Sequence, residues 1–346
     1  MDRSNISIFF DDSLDINGIS RHKYTDSNNR VYTSTTTLIG YYENKFDTKK
    51  MDIARACEKI GMNPAHPKYQ KYKDKSVFEI LLEWEQAKDE GCRIGNEKHN
   101  HIDNTIKLSN GYRSLTHTNF INTRLYTIND ILVNHNFGLV DLDYFKELGI
   151  KDLYPKIYNT ISYLVKDGYR IYSEIGTFDP INLISGLIDV LAIKNNKFIL
   201  MDWKTNKANL MFRSGYFEKD IEGNLTNNFI ENDEKFIFPL HKYPQSVGHK
   251  YTFQLSMYDY LTEGFGLECI GNILFHIRHN NYSINHEDII ENPSWINKQQ
   301  VDSYPIQYLK NDMAILISNF NKRKASGEID ALTIKGKFKN KMVVNV

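Results

Sequence analysis

Residues 173–207, SEIGTFDPINLISGLIDVLAIKNNKFILMDWKTNK, carry three carboxylates and a lysine at spacings a β-sheet would gather. Asn195-Asn196 has the chemistry of a two-residue hairpin turn. Around such a turn Asp189 and Asp202 fall directly opposite, which predicts Cβ atoms about 4.5–5.5 Å apart. Lys204 lies two residues past Asp202 and so shares its face. A looser turn near Ile181 and Asn182 places Glu174 across from Asp189. Carboxylates that close repel, and one must stay protonated unless a cation joins them. Hard oxygen ligands at this spacing suit Mg²⁺ or Mn²⁺, as one or two ions. Such an ion acidifies a bound water and stabilises the charge of a phosphoryl-transfer transition state. Lys204 is placed to orient or deprotonate that water, or to neutralise developing charge. The plainer alternative is a surface hairpin with a salt bridge from Lys204 to either aspartate. Common register, common face and the flanking Glu174 weigh against it.

The elements that must position these residues are partly legible. Short runs rich in Ile, Leu, Val and Phe over 170–178, 183–194 and 197–205, divided by Asp179-Pro180 and Asn195-Asn196, predict a three-stranded meander. Val77, Ile80, Leu81 and Trp84 predict a long helix over 76–106, with a break possible at Gly91 or Gly95. Pro155 opens a second helix whose stripe is Ile157, Ile161, Leu164 and Val165. Residues 107–150 read as helical or irregular. Residues 250–263 read as a helix, 268–279 as a strand and 296–325 as mostly helical. Near the start, a polar turn at Asp26–Asn29 separates β-prone pieces, and Thr35–Thr37 is placed to cap a helix. The pattern implies an α/β fold, a central mixed sheet flanked by helices with an N-terminal helical portion. It divides into residues 1–75 (short strands and a helix), 76–169 (helical), 170–295 (the core) and 296–346 (a helix and basic tail), with 76–325 one compact domain.

Composition narrows the class further. Of 346 residues, 41% are hydrophobic and 25% charged, ordinary for a globular protein. No run approaches a membrane span, and MDRSNISIFFDDSLD is too acidic for a secretory signal, so a cytoplasmic location is expected and no membrane partner. Cys57, Cys92 and Cys269 are scattered, which argues against disulfides, structural zinc and an iron–sulfur cluster. Lys plus Arg equals Asp plus Glu at 43 each, so a nucleic-acid partner would need a local basic patch.

The pattern Glu174…Gly186-x-x-Asp189…Asp202-x-Lys204 resembles the PD-(D/E)xK nuclease superfamily, and specifically its RecB-like branch. Two helical motifs of that branch have counterparts here: Gly95-x3-His99 in GCRIGNEKHNHID and Gln254-x3-Tyr258 in FQLSMYDYL. Each pair is spaced i, i+4 and shares a helix face. The similarity spans roughly residues 84–280, and STTTLIGYY also resembles phage and mitochondrial exonucleases of the branch. The resemblance implies a restriction-endonuclease-like fold and a Mg²⁺- or Mn²⁺-dependent deoxyribonuclease. Asp189, Asp202 and the backbone carbonyl of Trp203 would then be metal ligands, with Glu174 binding directly or through water and His99 completing the site. Lys204 would be the catalytic lysine, with Gln254 and Tyr258 beside it, Gln254 touching the lysine or the substrate phosphate. The motif's usual proline before the first Asp is Ile188 here. His101 makes a His-x-His with His99, but on a helix those side chains diverge, which argues against zinc.

The expected partner is DNA, engaged in recombination, replication or processing of phage type, with a possible recombination or replication protein partner and an open oligomeric state. An exonuclease is the leading expectation. An endonuclease of the same fold and a non-catalytic nucleic-acid-binding or assembly protein are the rivals. Lys207, Phe212, Arg213, Tyr216, Lys219, His241, Lys242 and Tyr243 interleave aromatics with bases and would suit single-strand stacking, or an ordinary surface excursion. The tail from Asn321, with Lys322, Arg323, Lys324, Lys335, Lys337, Lys339 and Lys341, would follow a DNA backbone or simply be solvated.

Overall fold

The computed structural model describes residues 3, 5–13, 22–44, 50–111, 122–133, 137–206, 209–219, 225–278 and 300–329. The chain begins with β1 (Ile8–Asp11), β2 (Lys23–Asp26), β3 (Val31–Ser34), α1 (Thr35–Gly40), α2 (Lys50–Gly61), α3 (Tyr69–Tyr72) and α4 (Val77–Ser109). It continues with β4 (Thr123–Arg124), α5 (Ile128–Val133), α6 (Leu142–Glu147), α7 (Ile150–Leu153) and α8 (Pro155–Lys166). Then come β5 (Arg170–Asp179), β6 (Ile184–Lys194), β7 (Lys197–Lys204), β8 (Gly215–Lys219), β9 (Leu225–Glu231) and α9 (Val247–Glu263). β10 (Glu268–Ile277), β11 (Val301–Ile306) and α10 (Lys310–Ala325) complete the described elements.

Local chemistry explains several boundaries. Ser76 and Glu79 form a reciprocal capping box that starts α4. Ser34 caps α1 by accepting from the Thr37 N–H, one residue before the threonines expected to do so. Pro155 occupies the first position of α8. Asn195 takes φ +57 in the β6–β7 turn, where Lys194 pairs with Lys197, as the dipeptide predicts. Gly91 and Gly95 do not break α4, which runs 33 residues.

The strands form one mixed nine-stranded sheet, ordered β11-β10-β7-β6-β3-β2-β1-β4, with β5 also paired to β6. β8 and β9 form a separate hairpin. One face of the sheet is covered by α4 and α8, where Ile102, Ile106, Ile157 and Ile161 pack on Val190, Met201, Trp203 and Phe275. The other is covered by α9, where Leu255 and Tyr258 meet Ile188, Leu191, Leu200 and Leu274. α10 lies outside α9, burying Met313, Leu316 and Phe320 against Phe253, Met257 and Leu261.

One expectation is narrowed. Among the described residues of 296–325 the helix is confined to Lys310–Ala325, because Val301–Ile306 pairs antiparallel with β10 and extends the central sheet. Polar alternation and Pro305 disguised it, yet an edge strand tolerates both. Among the described residues, no helix is long and apolar enough to cross a membrane.

Candidate active site

β5 pairs with one edge of β6 from Arg170 opposite Ile193 to Asp179 opposite Ile184. β3 and β7 therefore share the other edge, β3 taking Ile184 and Ser185 and β7 taking Val190 to Lys194. Gly186 to Asp189 lie between these two partners. There the Asp189 carboxylate accepts from the Trp203 N–H at 3.1 Å. The hairpin register is the one the turn predicts, but its ladder ends at Val190 opposite Met201. Asp189 and Asp202 thus sit just past the last rung.

Side-chain alternation slips by one residue on both strands at this level. On β6, Ile188 packs with Leu191 and Ile193, although alternation would send it with Val190 and Ala192. On β5, Tyr172 and Ile175 share that same side, and Glu174 between them takes the left-handed value φ +53. Non-glycine residues seldom adopt this conformation, and it is held where surrounding structure enforces it. The register count is unchanged across the slip, since Ser173 opposes Val190 and Ile175 opposes Ile188. Glu174 and Asp189 therefore face each other's level, as the looser turn predicted.

Three further elements close on this point. From α4, His99 Nδ1 stands 3.6 Å from Asp189 Oδ2. A Cβ at Gly95 would come within 2.9 Å of Thr205 Oγ1, so glycine lets α4 approach the end of β7. From β7, Lys204 Nζ lies 2.6 Å from Asp202 Oδ2 and 5.0 Å from the centroid of the Tyr251 ring. From α9, Gln254 Nε2 donates to Tyr258 Oη at 3.0 Å. The Tyr258 ring lies against Gly186, where a Cβ would meet Cε1 at 2.3 Å.

Burial sets the electrostatics. Asp202 is 2% exposed, and neither carboxylate oxygen receives a well-directed hydrogen bond despite the nearby ammonium. Burial pushes its pKa up to about 6, against the pull of Lys204. Asp189 is likewise raised by burial, with Lys204 and the Trp203 N–H opposing. Burial disfavours the Lys204 charge, but Asp202 and Asp189 outweigh that and hold its pKa above the ordinary lysine value. His99 is pushed down to about 4 by burial, with Lys204 adding to the effect, so its ring is neutral at pH 7. Burial raises Tyr258 well above the ordinary phenol, which keeps it a hydroxyl.

The structure thus brings Asp189, Asp202, Trp203, Lys204, His99 and Glu174 to one place, with Gln254 and Tyr258 at its rim. Gln254 bonds Tyr258, and the aromatic ring against the lysine belongs to Tyr251, one helical turn earlier. Sequence reasoning missed Tyr251, Asp103 and Lys107. Asp103 Oδ1 accepts from Ser173 Oγ at 2.8 Å, and Lys107 pairs with Glu174. A usable signal existed, because Gly95, His99, Asp103 and Lys107 recur every fourth residue. His101 points elsewhere, its ring 6.0 Å from that of Tyr154.

The softer regions are only partly represented. Tyr216 is 60% exposed on the β8–β9 hairpin, whereas Lys242 and Tyr243 pair with Asp312. Lys207 and Lys335, Lys337, Lys339 and Lys341 lie outside the described residues, as does the side chain of Lys219. No protein-family model matches the chain, and no curated protein matches it.

Proposed function

We propose that the protein is a Mg²⁺- or Mn²⁺-dependent deoxyribonuclease of the RecB-like branch of the PD-(D/E)xK superfamily, with a restriction-endonuclease-like core, acting as an exonuclease. The observation that carries this reading is the meeting of Asp189, Asp202, the Trp203 backbone, His99 and Lys204 where β6 and β7 part. The motif order along the chain supports DNA as the substrate.

The donor set fits a hard divalent ion. Asp202 is a buried carboxylate with unsatisfied oxygens, and Asp189, a backbone carbonyl and a neutral imidazole stand beside it. Among the described residues no three His, Cys, Asp or Glu side chains form a ready-made cage. The Asp202 carboxylate that would hold the ion has Lys204 Nζ 2.6 Å from its Oδ2. Asp189, Asp202, the Trp203 carbonyl and His99 are the residues that would hold it. When bound, such an ion supplies an acidified water and charge stabilisation at phosphoryl oxygens. Lys204 would orient the attacking water or donate to the phosphate. Gln254 and the Tyr258 hydroxyl supply neutral donors at the rim.

End-labelled single- and double-stranded DNA, linear and covalently closed, digested with Mg²⁺ or Mn²⁺, tests the reading. Linear DNA should be degraded from its ends and closed circles spared. Folded Asp189→Ala and Lys204→Ala proteins should lose at least about 100-fold in rate, the scale of a lost charge-stabilising group. Full activity in either variant would sink the proposal, and cutting of closed circles would make the enzyme an endonuclease.

A further inference from the structure

α4 presents Gly95, His99, Asp103 and Lys107 at four-residue intervals, along one stripe of the helix facing the site. The far end of that stripe is the Lys107–Glu174 ion pair, whose side chains are only 8% and 14% exposed. Glu174 is fixed from both sides, by its left-handed backbone and by flanking rungs to Val190 and Ile188.

The two ammonium groups of the site have different partners. Lys204 ends β7 and lies at once 2.6 Å from Asp202 Oδ2 and 5.0 Å from the centroid of the Tyr251 ring. Lys107 is buried in the last turn of α4, between Ile106 in the core and the buried Ser109 and Asn110. A fixed positive charge beside Glu174 opposes a second doubly charged ion at the same carboxylate.

Resting on the metal-dependent reading above, we propose that Lys107 is the resident counter-ion of Glu174 and stands in place of a second divalent ion. The centre then takes one ion, at Asp189, Asp202, the Trp203 carbonyl and His99, with Glu174 outside its ligand set. Lys107 is a positioning residue: it holds Glu174 and sets metal stoichiometry without touching substrate.

Mn²⁺ binding to the full-length protein at neutral pH without DNA, followed by electron paramagnetic resonance of the free ion and by calorimetry, tests this directly. The wild type should bind one Mn²⁺. Lys107→Gln should bind a second, and Lys107→Arg should remain at one. Glu174→Gln should still bind one ion, with affinity reduced by no more than the roughly 10–100-fold that partners outside the ligand set cost. Two ions in the wild type, an unchanged count in folded Lys107→Gln, or loss of all binding in Glu174→Gln would each overturn the proposal. Should Lys107→Gln fail to fold, judged by circular dichroism, the wild-type and Glu174→Gln titrations decide alone. Two wild-type ions would leave the nuclease reading standing, whereas no Mn²⁺ at all would bring down that reading and this one together.

Discussion

Burial drives Asp202 and His99 in opposite directions, the acid up to about 6 and the imidazole down to about 4. A carboxyl raised in the folded state stabilises the fold below its ordinary value of 3.8, and that contribution drains away as pH rises through about 6. An imidazole lowered in the folded state stabilises above its ordinary 6.5, and that contribution is lost as pH falls through about 4. The two slopes oppose each other over nearly the same interval. In metal-free protein, His99→Gln should therefore make the melting temperature rise, relative to wild type, as pH falls from 6.5 toward 4. Asp202→Asn should make it fall over that interval. Thermal melts in chelator across this range check both, and parallel curves for all three proteins would refute the assignment. At this scale the sequence was partly readable: the two-residue turn sets the register by counting, but the ladder ends at Val190 opposite Met201 and alternation slips at Asp189, so counting does not give its side. Lys107 and Asp103 continue the four-residue spacing of Gly95 and His99 but were not read, since spacing alone does not show that a helix lysine pairs with a strand 67 residues away.

Two glycines four residues apart on α4 meet different surroundings. An added Cβ at Gly91 touches nothing within 4 Å, whereas at Gly95 it would meet Thr205 Oγ1 at 2.9 Å. Gly91→Ala should therefore gain the ordinary helix preference, about 0.5–1 kcal/mol in urea denaturation. Gly95→Ala should gain less or lose stability, because α4 must draw back from β7. It should also cut nuclease activity, since His99 rides on the same turn. Equal stability gains with full activity in both would show that the approach of α4 to β7 has no consequence. Elements with a strong period were legible from sequence: α4, α8, β5, β6 and β7 begin and end within a few residues of expectation. β11 was not, because Asp302, Ser303 and Pro305 break the apolar pattern of a strand and are tolerated here on the outer edge of the sheet. Residues 107–150 resisted for a related reason. Their helices α5 and α6 span 6 residues each, too short to carry periodicity.

For the whole molecule, the C-terminal segment is part of the core. Val301, Ile306, Met313, Leu316, Ile317, Phe320 and Ile329 are all buried. At about 1.5–3 kcal/mol for each such side chain, their loss would remove roughly 10–20 kcal/mol, as much as a whole domain's net stability. A chain ending at residue 299 should be insoluble or lack a cooperative melt, and a soluble, cooperatively melting product would contradict that. The linear reading placed 76–325 in one compact domain but did not show that Val301–Ile306 is a strand of its central sheet. The shared edge of β6 has a temporal consequence as well. Its rungs join Thr33 to Ile184 and Val190 to Met201, so one partner is made long before β6 and the other just after it. During synthesis His99 emerges well before the carboxylates it faces, and contacts so far apart in sequence form slowly. On the proposed function, a nascent or half-folded chain holds no complete cutting centre, and catalytic competence arrives only with the finished sheet.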